Sequence, residues 1–147
     1  MVAGQQVAHA ALEWIGTPYL HQASRKGAGT DCLGLIRGIW RDCVGQEPVA
    51  PPPYTSDWAE ADGCEVLLDA ARTWLVSRPD NTFESGCVLL FRMRQGAIAK
   101  HLGIVTAVGA HPRFVHAYSG HGVVETTLSA PWRKRIAATF EYPKGVK

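Results

Sequence analysis

Apolar residues near the start of the chain, Val7, Ala10, Ala11, Trp14 and Ile15, recur at the i, i+3, i+4, i+7, i+8 spacing of one helix face. Gly16 and Pro18 stop that helix. A second helix is predicted from Thr30 or Asp31, both good N-caps, with Cys32, Leu35, Ile36, Ile39, Trp40 and Cys43 inward and Gly45 at its end. A third covers Cys64 to Ser77 and turns Leu67, Ala71, Trp74 and Leu75 inward, with Pro79 just beyond. Between these two, Glu47 to Pro53 carries four prolines and reads as a loop crossing the surface.

The second half of the chain changes period. Cys87 to Phe91 is a short apolar strand that follows the turn residues Glu84, Ser85 and Gly86. Leu102 to Val108 and Arg113 to Tyr118 flank a turn with Gly109 and Pro112, the pattern of a hairpin. Gly122 to Thr127 and Arg135 to Tyr142 supply further strands. Helices followed by a run of antiparallel strands predict an α+β domain, with N-terminal helices packed on a C-terminal sheet. At 147 residues the chain fits one domain, 1–147.

Composition removes several classes of function. With 46% hydrophobic and 19% charged residues the chain is an ordinary globular one. Its formal charge of +2 comes without a dense Lys/Arg stripe, so no nucleic-acid partner is expected. Arg133, Lys134 and Arg135 read as solvated surface. No run approaches the roughly 20 apolar residues that cross a bilayer, so no membrane insertion is expected. Gln5, Gln6, His9 and Glu13 interrupt the first fifteen residues, which excludes a secretory leader there and predicts synthesis in the cytoplasm. Cys32, Cys43, Cys64 and Cys87 form no C-x-x-C pair, which argues against a disulfide framework and a zinc site. No metal or other cofactor is expected.

Cys32 differs from the other cysteines in its position. A cysteine in the first turn of a helix lies beside unsatisfied backbone N–H groups and the positive end of the helix dipole, which favour the nucleophilic thiolate. Its own N–H is suited to an oxyanion formed at an attacked carbonyl. Gly34, two residues on, leaves room for a substrate or a neighbouring strand. Alone, Cys32 reads as a small core residue, and two histidines change that.

His101 opens the strand His-Leu-Gly-Ile-Val, and His116 lies in Phe-Val-His-Ala-Tyr on its partner. A hairpin turn centred between Gly109 and Ala110 sets His116 opposite Gly103 and puts both histidines on one face. Diagonal neighbours lie roughly 7–8 Å apart at Cα, and the bare Gly103 gives the rings room to meet. His116 then holds the His101 imidazole in one tautomer, as the third member of a triad does. A turn shifted by one residue separates the histidines onto opposite faces. His9, His111 and His121 read as surface residues.

Four segments, in order, resemble the NlpC/P60 family of papain-like cysteine peptidases over nearly the whole chain. They are Gly16-Thr17-Pro18-Tyr19 followed by Asp31-Cys32-Leu33-Gly34-Leu35; Ser85-Gly86-Cys87-Val88-Leu89-Leu90-Phe91; His101-Leu102-Gly103-Ile104-Val105; and Phe114-Val115-His116-Ala117. The resemblance implies a papain-like α+β fold in which Cys32 attacks, His101 shuttles the proton and His116 orients it. It implies that the Tyr19 hydroxyl faces the oxyanion or substrate. Asp31 matches an acidic residue that meets the substrate amine in some members, and it is also a plain helix N-cap.

The chain departs from the family pattern where many members carry two glycines after the tyrosine and a serine after the nucleophile. Here stand His21, Gln22 and Ala23, and Leu33. Tyr19-Leu20-His21-Gln22 and the run from Cys32 to Trp40 resemble a small phage-tail and gene-transfer-agent subgroup. The family resemblance leads to peptidoglycan stem peptides as the expected substrate, with cleavage between D-γ-glutamate and the diamino acid, and the subgroup shares that expectation. The subgroup also implies tail-hub or baseplate proteins as partners, and action in the periplasm or cell wall after carriage in a virion. The competing expectations are a structural tail-hub component with a dispensable site, and an acyltransferase or amidase on the same scaffold.

Overall fold

The computed structural model describes residues 4–48, 66–93 and 98–143. Helix α1 spans Gly4–Leu12 and buries Val7, Ala8, Ala10 and Ala11. Trp14 follows in the turn, 1% exposed, and its ring lies against the backbone of Gly38, where a β-carbon would collide with it. Its indole Nε1 donates to Asp42 Oδ2 at 3.2 Å. Ile15 does not share this face; the helix ends at Leu12, so the predicted stripe runs out and Ile15 is exposed.

Strands β1 (Ser24–Arg25) and β2 (Gly29–Thr30) form a small antiparallel hairpin ahead of helix α2, Cys32–Cys43. Asp31 caps α2 by accepting from the Gly34 N–H at 2.7 Å, the predicted start. Leu35 and Ile39 are fully buried and Ile36 and Cys43 nearly so. Burying a Leu or Ile side chain contributes about 1.5–3 kcal/mol, against about 1 kcal/mol for a cap. Packing therefore holds α2 to the sheet, and the cap decides where it begins.

Helix α3, Val66–Trp74, buries Leu67, Leu68 and Ala71. It stops three residues short of the predicted end, because Val76 and Ser77 pair with Glu141 and Phe140 as strand β3, Val76–Ser77. The helical face is thereby cut off and Trp74 lies exposed rather than inward. The predicted start at Cys64, and the part of the proline-rich loop beyond Pro48, lie outside the described residues.

The remaining strands are β4 (Val88–Arg92), β5 (Ala99–Ala107), β6 (Arg113–Tyr118), β7 (Gly122–Thr127) and β8 (Ile136–Glu141). They join β3 in an antiparallel sheet of order β3-β8-β4-β5-β6-β7. Helix α4, Ala130–Lys134, precedes β8 and was not foreseen. The molecule is an α+β domain with apolar side chains on both faces of its sheet. Val88, Leu90, Leu102, Ile104, Val115 and Ala117 meet α1, α2 and α3, while Cys87, Leu89, Phe91, Val105, Phe114 and Leu128 form a second cluster that Trp132 of α4 covers.

Candidate active site

The site is assembled where α2 begins and β5 starts. In the β5–β6 hairpin Ile104 faces Val115 and Val105 faces Phe114. These pairs keep the register expected from a turn centred between Gly109 and Ala110, but nearer the turn Ala107 faces Arg113, so an irregularity between Val105 and Ala107 separates the turn from the histidines. His101 Nε2 and His116 Nδ1 stand 2.8 Å apart, a hydrogen bond between nearly buried rings. The space over Gly103 is taken by the Phe114 ring, not by the two imidazoles, and a β-carbon there would press on that ring. Phe114 in turn supports His116, with ring centres 4.5 Å apart.

Cys32 approaches from the helix side. Its thiol donates to the carbonyl of Lys100 at 3.8 Å, the residue just before His101. The backbone N–H groups of Leu102, Leu33 and Cys32 itself favour its thiolate form. The pairing Phe91 with His101 and Arg92 with Ala99 leaves a bulge in β5 at Lys100. Bulges of this kind re-aim side chains beside active sites. The fold thus brings the histidines into direct contact and sets the sulfur against the strand at Lys100, next to His101. Among the described residues the thiol's hydrogen bond goes to the Lys100 carbonyl and not to an imidazole. His101 spends Nε2 on His116, so Nδ1 is the ring nitrogen outside that bond.

The protonation state departs from expectation. Burial, and secondarily the Asp31 carboxylate, push the Cys32 thiol up to about 12, outweighing the three backbone N–H groups. Burial, and then His116, hold His101 down to about 3; burial and His121 hold His116 down to about 4. The helix terminus does not make a resting thiolate here, because desolvation is the larger effect. At neutral pH these shifts leave Cys32 a thiol and both imidazoles neutral. Alkylation of Cys32 by iodoacetamide, mapped by peptide mass, should therefore be slow at pH 7 and climb continuously to pH 10; a plateau already reached by pH 7 would contradict the neutral pair.

The same shifts predict how stability changes in acid. Both histidines are protonated in the unfolded chain below about pH 6.5 but resist protonation when folded. Their neutral burial is fully accommodated above that pH, and stability should fall as pH drops toward 4. Urea midpoints across pH 7 to 4 should drop more steeply for wild type than for His101→Gln/His116→Gln. Parallel curves would contradict the assignment.

Asp31 is 2% exposed. Oδ1 caps α2 and Oδ2 accepts from the Gln22 N–H at 2.7 Å, with His21 Nδ1 at 3.8 Å from the same oxygen. Its carboxylate thus latches the loop that follows Tyr19 to the nucleophile's helix. Gln22 sits at φ +67°, so the backbone keeps a conformation that favours glycine although the residue is not one. Gly34 faces the Ala23 carbonyl and Thr30, which occupy the space its missing side chain leaves. That close approach is by a neighbouring segment. Tyr19, bridged to Thr30, has its hydroxyl pushed up to about 12 by burial, then by Cys32 and Asp31, and remains a donor at neutral pH.

Three residues near the histidines were not foreseen. Trp132 sits edge-on to His116, with ring centres 5.2 Å apart, and 5.9 Å from His101, roofing the pair. Ser129 followed by Pro131 at the start of α4 was a readable helix signal. Thr126 Oγ1 lies 2.9 Å from His116 Nε2. Tyr118, its ring centre 5.3 Å from that of His116, stacks on the exposed His121. Among the described residues no three His, Cys, Asp or Glu side chains are grouped to hold a metal ion, and no helix is long and apolar enough to cross a membrane.

No family's sequence profile matches the chain, and no curated protein matches it in sequence. Solved structures do match. The NlpC/p60 domain of the peptidoglycan hydrolase SagA aligns with a TM-score of 0.57 at 20% identity, over 86% of this chain and 91% of that domain. The fold is that of NlpC/P60 domains. An NlpC/P60 family protein from Bacillus cereus ATCC 10987 aligns at TM-score 0.64 and 17% identity over 95% of this chain. A protein of Staphylococcus aureus subsp. aureus Mu50, described as similar to lipoprotein of the NLP/P60 family, aligns at 0.57 and 19% over 94%. The present chain spans 40% of each of these last two proteins.

Proposed function

We propose that this NlpC/P60-like domain is a cysteine peptidase that hydrolyses peptide stems of bacterial peptidoglycan. The observation that carries the reading is the pair of imidazoles 2.8 Å apart at the strand end whose Lys100 carbonyl holds the thiol of a helix-first cysteine. The resemblance of the fold to a domain of a peptidoglycan hydrolase supports the substrate class.

In the reaction, the Cys32 thiol leaves the Lys100 carbonyl and gives its proton to His101 Nδ1 as the sulfur attacks the scissile carbonyl carbon. The Cys32 N–H and the Tyr19 hydroxyl meet the oxyanion. Collapse of the adduct breaks the C–N bond, and His101 hands its proton to the departing amine. Water then attacks the thioester; His101 takes its proton and returns it to the sulfur, freeing the acid product. A neutral resting pair suits this sequence, because charge separates only once substrate has displaced water.

The bond cut is the amide between D-γ-glutamate and the diamino acid, and the enzyme is carried in a phage-like or gene-transfer-agent tail. Support for carriage comes from the Tyr19-Leu20-His21-Gln22 and Cys32-to-Trp40 runs. Digests of purified sacculi should release fragments whose masses place a new amino terminus on the diamino acid. Iodoacetamide should stop the release and EDTA should not; inhibition by EDTA alone would overturn the cysteine mechanism. Particles carrying Cys32→Ala should assemble yet fail to penetrate, and normal penetration would make the site dispensable.

A further inference from the structure

Every hydrogen bond that the His116 ring makes among the described residues goes to His101 or to Thr126. Thr126 pairs with Phe114 across β6 and β7, and His116 pairs with Val124. Thr126 is therefore the diagonal neighbour of His116 on the same sheet face, which is how its hydroxyl reaches the far nitrogen of the ring.

Proton counting gives that contact a role. A neutral imidazole carries one N–H, so the two bonds through His116 must run in the same sense. In one order His101 Nε2–H donates to His116 Nδ1, and His116 Nε2–H donates to Thr126 Oγ1. His101 Nδ1 is then bare and able to take a proton. In the reverse order Thr126 donates inward, His116 Nδ1–H donates to His101 Nε2, and His101 Nδ1 already carries its proton. Only the first order makes His101 a base, and it requires an acceptor at the end of the row.

We propose that Thr126 is a positioning residue whose hydroxyl oxygen accepts from His116 Nε2 and so holds both histidines in the tautomer that leaves His101 Nδ1 free. This rests on the peptidase reading for its consequence, though not for its geometry. Trp132, packed edge-on against His116, limits the other partners the ring could find. Thr126→Val keeps the shape and removes the acceptor. The His116 N–H would then be left without a partner at a buried position, which shifts the row to the reverse order.

The test combines kinetics with nitrogen-15 NMR of the histidine side chains. Wild type should show both rings as Nε2–H tautomers. Thr126→Val should convert them to Nδ1–H and lower kcat for muropeptide cleavage roughly 10- to 100-fold with KM nearly unchanged. Thr126→Ser, which keeps the oxygen, should retain the wild-type tautomers and kcat within about 3-fold. Nδ1–H tautomers in wild type, or tautomers unaltered in the valine variant, would overturn the proposal. So would equal losses in the serine and valine variants, which would make the role one of packing. If wild type cleaves no muropeptide, the peptidase reading fails, and the tautomer spectra still decide the relay.

Discussion

His101→Gln is expected to lower kcat for muropeptide cleavage by roughly 10³-fold while the protein stays folded. General acid–base catalysis by one positioned side chain is worth about 10²–10⁴-fold. In the proposed reaction His101 serves in both steps, taking the thiol proton, supplying the amine, and then activating water. A glutamine amide keeps a donor that can reach His116 Nδ1, so the row through Thr126 keeps its order, but the amide cannot accept a proton at neutral pH. It also removes a ring that burial holds neutral, so stability in acid should improve as activity is lost. Steady-state kinetics beside a thermal melt will separate the two effects. A kcat within tenfold of wild type would remove His101 from the mechanism.

The largest effect on stability is expected from Asp31→Ala. Both carboxylate oxygens accept backbone N–H groups at 2.7 Å, one from Gly34 in the first turn of α2 and one from Gln22 in the preceding loop. Losing an N-cap costs about 1 kcal/mol, and leaving a part-buried N–H without its acceptor about 1–3 kcal/mol more. Together that is about 3 kcal/mol, or a Tm roughly 10 °C lower for a chain of this size. Asp31 also raises the Cys32 pKa, so the variant's thiol should alkylate faster at pH 8 in spite of its weaker fold. Opposite movements of stability and thiol reactivity are hard to obtain from a merely damaged protein. A Tm within about 2 °C of wild type would show that the latch is not what holds the loop.

Much of this was legible in the chain because the relevant interactions are local or periodic. Asp31 as a cap fixed the start of α2, and the alternation around Gly109 and Pro112 gave the hairpin register that faces Ile104 with Val115. Strand β7 has the bounds its pattern predicts. The misreadings come from long-range competition and from elements too short to pattern. The helical stripe through Trp74 is real on paper, yet β8 captures Val76 and Ser77. β1, β2 and α4 are too short to show a period.

At the site, the identity and spacing of Cys32, His101 and His116 could be read directly. The thiol's protonation could not, since desolvation depends on what β5 and the loop after Tyr19 bring around the sulfur. Phe114 over Gly103 and Thr126 behind His116 were also hidden. Each is a cross-strand neighbour that becomes visible only once the registers on both sides of β6 are known.

The central claim is that the sulfur of Cys32 becomes bonded to the acyl half of a cleaved peptide. Muropeptides mixed with wild type and with Cys32→Ala, quenched in acid within one turnover and weighed as intact protein, test it most directly. The wild-type chain should gain the mass of the acyl fragment, located on Cys32 by peptide mapping, and the alanine chain should gain nothing and release no product. Equal product from both chains, with no adduct on Cys32, would contradict the account.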